Sequence, residues 1–164
     1  MTSVAHQVPR RLDAFALASE PGNERLALAR VARSVAAVGL PAAQLERLKT
    51  AVAEATMNAI EHGNGNRADV PVEVEVTQHG DEITVAISDR GGAAVTGGAA
   101  GAGGTQEPDL AKKLDGEQSP RGWGLFLIRN MVDAVEVTTD GQRHTIWLTM
   151  RTGAPEGAEH DEQV

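Results

Sequence analysis

The spacing of apolar residues predicts two amphipathic helices in the first half of the chain. The first spans residues 24–38, with Asn23 as its cap and Gly39 as its end, and its apolar positions recur every three or four residues at Leu28, Val31, Val35 and Val38. The second is predicted from about Ala43 to His62, and its apolar stripe consists of Leu45, Leu48, Val52, Ala55 and Ala59. Each stripe would face a shared core.

Alternation of apolar and polar residues predicts β-strands in three places. A short strand lies within residues 9–19, where both faces carry apolar residues. Residues 70–79 and 82–89 form a hairpin that turns at His79-Gly80-Asp81. A second hairpin closes the domain and turns at Asp140-Gly141, with one apolar face made of Ile146, Leu148 and Met150.

A third helix and a long irregular segment lie between the two hairpins. Residues 91–118 have no periodicity and are rich in glycine and alanine, which is typical of a functional lid or of disorder. The glycine pair of "RGWG" then opens a helix over residues 125–134. The order of elements predicts an α+β fold, a two-layer sandwich with helices on one face of a mostly antiparallel sheet.

Composition and charge exclude several classes of protein. The chain has 164 residues, which suits one domain, and its aromatic residues are only two Phe and two Trp, which argues against a base-stacking RNA binder. The net charge of -8 disfavours direct binding to nucleic acid. The chain has no cysteine for disulfides or thiolate metal sites, no signal peptide and no apolar run of membrane-spanning length, so we expect a cytoplasmic protein that does not bind membranes.

Three short polar patterns are candidates for chemistry. Glu54, Asn58 and His62 recur every fourth residue and form a ridge beside the apolar stripe of the second helix, although such a ridge by itself is more often a solvated helix side. Asp89 ends a strand and precedes Gly91; it could accept a hydrogen bond from an exocyclic amine such as adenine N6, or simply form a turn. The pair Gly122 and Gly124 could bind phosphate at a helix N-terminus or act as a hinge.

Other nucleotide and metal motifs are missing from the sequence. It contains no Walker A motif, no complete G-x-G-x-x-G that opens a helix after a strand, and no H-E-x-x-H. The five histidines are scattered, so a zinc cluster has no support.

Taken in order, "EATMNAIEHG", "ISDRGG" and "RGWGLFLIRNMVDAV" resemble the asparagine box and the two glycine boxes of the GHKL (histidine-kinase-like) ATPase superfamily. The resemblance covers roughly residues 10–151 and is closest to the anti-sigma factor serine/threonine-protein kinase branch. It implies a Bergerat-type ATP-binding fold. The first glycine box departs from the usual Asp-x-Gly-x-Gly, because Ala93 and Ala94 follow Gly91-Gly92.

The resemblance also implies site roles for ATP and Mg²⁺. Asn58 matches the Mg²⁺ ligand, and Glu54 matches the general base for an attacking serine hydroxyl. Asp89 would contact adenine N6 with Gly91 beside the ring. The remaining positions implied at the nucleotide are Arg121, Gly122, Gly124, Leu125 and Thr145, the last of which would support the adenine through water.

The resemblance predicts an anti-sigma factor that binds a sigma factor and phosphorylates a serine on an anti-anti-sigma protein of the STAS kind, with a possible homodimer. The alternatives are a non-catalytic ATP-binding module that sequesters a partner, the catalytic domain of a histidine kinase, and a structural domain that binds no nucleotide. We expect an N-terminal extension of residues 1–9, a domain of 10–152 with a lid of about 91–121, and a disordered acidic tail of 153–164.

Overall fold

The computed structural model describes residues 8–91 and 120–152, and the side chains of 8–91 and 124–152. Its elements in chain order are β1 (Arg10–Leu17), α1 (Glu24–Val35), α2 (Ala42–Asn58), β2 (Val72–His79), β3 (Glu82–Asp89), α3 (Pro120–Met131), β4 (Ala134–Asp140) and β5 (Arg143–Arg151). This confirms the predicted succession of helices and strands. Most of the predicted lid, the acidic tail and most of the N-terminal extension lie outside the described residues, and the last two lid positions, 120 and 121, belong to α3.

The strands form one sheet in the order β1-β2-β3-β5-β4, and every neighbouring pair is antiparallel. Gly80 and Gly141 turn the two hairpins with φ of 64° and 65°, the left-handed region that favours glycine. β3 lies between β2 and β5, so the strand that ends in Asp89 is central in the sheet.

The core lies between the helices and one face of the sheet. The period of two along a strand brings the same set of side chains inward, and in β3 these are Ile83, Val85 and Ile87. The helices cover them with an aliphatic layer, whose fully buried side chains include Val31, Val35, Leu48, Val52 and Ile128. Residues in alternate positions, such as Thr84 and Trp147, lie on the other face of the sheet. The two-layer α+β sandwich is therefore confirmed.

The helix ends differ in part from the predicted ones. α1 runs into a 3-10 turn, Ala36–Val38, and the chain then turns at Gly39 with φ of 84°, as predicted. α2 ends at Asn58 and continues as a π-helical turn, Ala59–Gly63. α3 begins at Pro120 instead of after the glycine pair, because proline is well suited to the first helical position, where no N–H is needed.

One ion pair joins the first helix to the edge of the sheet. Arg30 donates hydrogen bonds to Asp13 from Nε at 2.9 Å and from Nη2 at 3.1 Å, and its guanidinium lies 4.5 Å from the centre of the Phe15 ring. These contacts connect α1 to β1. Among the helices in the described part of the chain, none is long and apolar enough to cross a bilayer.

Candidate functional site

The polar ridge of α2 meets the start of α3 at Gly124. Glu54 and Asn58 are half-buried, and Gly124 is buried against them. A Cβ atom built on Gly124 would lie 2.7 Å from Glu54 Oε2 and 2.8 Å from Asn58 Nδ2, closer than side chains pack in proteins. A side chain at this position would displace the ends of the Glu54 and Asn58 side chains. The carboxylate and the amide therefore converge on one point beneath the first turns of α3.

The π-helical turn at the end of α2 brings the chain against the end of β3. His62 lies in this turn and is half-buried. Gly63 is buried with its Cα against the Asp89 carboxylate, so that a Cβ there would overlap the carboxylate. Gly91 in turn lies against the carbonyl of Gly63. π-helical turns in α-helices are frequent at functional sites, and this one presents a bare backbone to an acidic side chain.

Asp89 is 7% exposed and points to the helix side of the sheet, in phase with Ile87. Its Oδ1 accepts a hydrogen bond from the N–H of Gly91 at 2.9 Å. Its cross-strand neighbour is His144, whose Nδ1 lies 4.0 Å from the same oxygen. An acceptor of this kind beside flat glycine backbone can receive a hydrogen bond from an amine on a planar ring.

Thr145 lies on the other face of the sheet. It pairs with Ser88 across β3 and β5, and the two hydroxyl oxygens are 2.8 Å apart. Successive residues of a strand point to opposite faces, so the side chain beside Asp89 is that of His144. The structure therefore does not bring the side chain of Thr145 together with Asp89.

The N-terminal turn of α3 contains the second glycine box. Arg121 and Gly122 lie within its first turn, where backbone N–H groups have no partner inside the helix. Gly124 is the fifth residue of α3, and an α-helix uses the N–H at that position in its own hydrogen bonding. Gly124 thus serves the close approach to α2, and Leu125 packs partly buried against the core. The side chain of Arg121 lies outside the described residues.

The polar groups are spaced along one edge of α2. From Glu54 through Asn58 to Gly63, at the end of the π-helical turn, an ideal helix rises roughly 13 Å. Asp89 lies beside Gly63, whereas Gly124 of α3 lies beside Glu54 and Asn58. The arrangement can hold a planar amine-bearing ring at one end and a phosphate chain at the other, with an amide and a carboxylate beside the phosphates.

Three residues of this region are absent from the sequence-based set. Gly63 looks like an ordinary helix stop, and Asn64 looks like a turn residue, yet both are buried. His144 continues the alternation of Ile146, Leu148 and Met150, and this signal in the sequence places it on the helix face. No comparable signal marks Gly63 or Asn64, because their roles depend on contacts with β3.

Sequence comparison finds a match to one domain family and to named relatives. The sequence profile of the histidine kinase-like ATPase domain matches residues 17–150. The anti-sigma F factor of Clostridium beijerinckii is 34% identical over 122 residues, which cover 74% of this chain and 80% of that protein. The anti-sigma F factor of Oceanobacillus iheyensis is 33% identical over 137 residues, with 83% and 88% covered.

Two solved structures share the fold. The structure of the RsbU and RsbW domains of a Mycobacterium tuberculosis protein superposes with a TM-score of 0.61 at 18% identity, and the match covers 90% of this chain and 33% of that one. A chain from the SiaB-SiaC complex of Pseudomonas aeruginosa superposes with a TM-score of 0.63 at 14% identity, with 90% and 93% covered.

Proposed function

Because the chain belongs to the histidine kinase-like ATPase domain family, we propose that it is an ATP-dependent anti-sigma factor. It binds a sigma factor and phosphorylates a serine on an anti-anti-sigma protein with a STAS domain. The names of the relatives from C. beijerinckii and O. iheyensis support the sigma-binding half of this proposal. The positions of Glu54 and Asn58 beside Gly124 support the phosphoryl-transfer half.

The observation that carries the proposal is the convergence of Glu54 and Asn58 at Gly124. Two polar side chains one helical turn apart on α2 meet the first turns of α3, where helix N–H groups favour phosphate. A module that only held a partner would need no carboxylate at this position. The position of Asp89 beside Gly63, at the far end of the same helical segment, supports a nucleotide whose base lies at Asp89.

The side-chain amide of Asn58 suits an Mg²⁺ ion bound together with the nucleotide. An amide oxygen from Asn58 is a hard oxygen ligand, and protein sites for this ion use one or two such groups together with phosphate oxygens. Bound there, the ion would neutralise charge on the phosphates during transfer. Asn58 would hold it, and the free N–H groups of the first turn of α3 would bind phosphate oxygens.

Glu54 acts as the general base. Its carboxylate accepts the proton of the partner's serine hydroxyl while the serine oxygen attacks the γ-phosphorus, and the bond from that phosphorus to the β,γ-bridging oxygen breaks to leave ADP. The carboxylate lies next to Gly124 of α3. Asp89 and the bare backbone of Gly63 and Gly91 hold the base ring.

Replacing Glu54 with glutamine tests the catalytic half of the proposal. The amide keeps the size of the side chain but cannot accept the proton, so we expect phosphate transfer to the STAS partner to fall by about 10²–10⁴-fold. Binding of Mg-ATP should change little. Glu61→Gln is the matched control, since Glu61 is exposed on the same helical segment. Equal transfer rates in the Glu54 variant and the unmodified protein would refute the assigned role.

Replacing Asn58 with alanine tests the metal assignment. ATP affinity should fall more when Mg²⁺ is present than when it is chelated, because only the metal-bound nucleotide uses the amide oxygen. Calorimetric titration under both conditions gives the two affinities. An equal loss in both conditions would exclude Asn58 as the ligand.

A non-catalytic ATP-binding module remains the second candidate. Such a module would bind Mg-ATP as an active kinase does. Neither the unmodified protein nor the Glu54→Gln variant would transfer phosphate to any STAS partner tested.

A further inference from the structure

Asn64 follows the π-helical turn and is completely buried. Its Nδ2 lies 3.0 Å from Ser19 Oγ, 3.1 Å from the carbonyl of Val70 and 3.2 Å from the carbonyl of Pro71. Its Oδ1 accepts a hydrogen bond from the N–H of Arg90 at 2.8 Å. All four partners belong to the protein, so this amide has the role of a structural link and not of a ligand-binding group.

The orientation of the Asn64 amide follows from its partners. Ser19 Oγ donates its own proton to the carbonyl of Val70, so towards Asn64 it acts as an acceptor. The three groups around Nδ2 are therefore all acceptors, and the single donor, the N–H of Arg90, faces Oδ1. A flipped amide would place acceptors against the oxygen and a donor against the NH₂ group.

The backbone of Asn64 is bound to the end of α2. Its N–H donates to the carbonyl of Ala59 at 2.8 Å, and its carbonyl accepts a hydrogen bond from Arg67 Nε at 3.0 Å. Main chain and side chain thus have separate partners. The main chain belongs to the segment that carries Asn58, and the side chain extends from it to β3.

The hydrogen bond between Asn64 and the N–H of Arg90 lies just beyond the last residue pair of β2 and β3. The ladder between β2 and β3 ends with the pair of Glu73 and Ser88, so Asp89 is paired only on the β5 side. The N–H of the next residue, Arg90, has the oxygen of Asn64 as its partner. The peptide that follows Asp89 is therefore linked to the segment after α2 by the side chain of Asn64.

We propose that Asn64 is a positioning residue of the nucleotide site. It holds the end of β3, which carries Asp89, in fixed register with the end of α2, which carries Glu54 and Asn58. The inference rests on the proposed function, because it assigns the base of the nucleotide to Asp89. Without the Asn64 amide, Asp89 can move away from Gly63, while Glu54 and Asn58 keep their places on α2.

Asn64→Ala tests this role against Ser19→Ala as the matched control. Both variants disrupt the same buried network, so both should unfold at lower temperature. Only Asn64→Ala breaks the hydrogen bond to the N–H of Arg90. We expect Asn64→Ala alone to bind ATP about tenfold more weakly, which corresponds to about 1.4 kcal/mol. In transfer assays its KM for ATP should rise while kcat at saturating ATP changes less.

Three results separate the possible outcomes. If the unmodified protein itself does not bind ATP, the proposed function fails. If the unmodified protein binds ATP and Asn64→Ala binds it equally well, only the role of Asn64 is overturned. If Ser19→Ala loses as much ATP affinity as Asn64→Ala, the loss reflects general destabilisation, and the positioning role is again overturned.

Amide hydrogen exchange provides a second test if Asn64→Ala does not fold. In the unmodified protein without nucleotide, the N–H of Arg90 should exchange slowly although the Arg90 side chain is exposed, because this N–H donates a hydrogen bond to Asn64 Oδ1. Exchange of that amide at the rate of an unstructured peptide would overturn the inference.

Discussion

Replacing Gly124 with alanine adds one methyl group at the point where α3 meets the polar ridge of α2. That methyl carbon would lie 2.7 Å from Glu54 Oε2, whereas ordinary van der Waals contact begins at 3.4 Å, so the carboxylate has to move by about 0.7 Å. Asn58 Nδ2, at 2.8 Å, has to move by nearly as much. Both atoms are ends of side chains that can rotate away, so the fold can accommodate the change.

The expected effect on stability is small. Alanine in place of glycine inside a helix stabilises the folded protein by about 0.5–1 kcal/mol. Overpacking costs about 1–3 kcal/mol, and the lower end applies here because flexible side chains yield first. The two effects nearly cancel, so the unfolding temperature should change by less than about 5 °C.

The expected effect on activity is large. Displacements approaching 1 Å at reacting groups can cost about 100-fold in rate, so phosphate transfer should fall by about 10–100-fold. Mg-ATP titration, a transfer assay and thermal unfolding measure the three quantities. Asn130→Ala is the control, since Asn130 is exposed on the same helix. Undiminished transfer by Gly124→Ala would show that Glu54 and Asn58 do not act together at this point.

Three further predictions follow from single contacts. Gly63→Ala places a methyl group where the Asp89 carboxylate lies, so calorimetry should show a loss of ATP binding with or without Mg²⁺. Retained ATP affinity would argue against Asp89 as the residue that binds the adenine ring. Thr56 is buried and its hydroxyl has no hydrogen-bond partner among the described residues, so Thr56→Val should raise the free energy of unfolding by about 1 kcal/mol without changing ATP affinity, as urea unfolding would reveal. Hydrogen bonds from Arg30 lower the pKa of Asp13, so the stability they contribute is complete above the unfolded-state pKa of about 3.9 and is lost as pH falls through the lower folded-state pKa. Asp13→Asn should therefore be less stable than the unmodified protein at neutral pH, and this difference in free energy of unfolding should shrink below about pH 4. A difference that stays constant with pH would contradict this.

Much of the site can be read from the sequence because its residues lie in regular elements. Glu54 and Asn58 share a helix edge by the helical period alone, and Asp89 ends a strand whose alternation is clear. Thr145 and His144 are a case in which two lines of reasoning point to different residues. The resemblance points to the threonine, while the alternation of β5 brings His144 to the helix side.

Local periodicity determined which residues form helices and strands, which faces are apolar, and therefore the two-layer fold. These features depend on neighbours three, four or two positions away, which the sequence records directly. Only the tertiary structure decided that Gly124 touches Glu54 and Asn58, that Gly63 lies against Asp89, and that Asn64 joins α2 to β3. Such contacts are set by how closely separate elements approach, and that distance depends on packing between residues far apart in the chain.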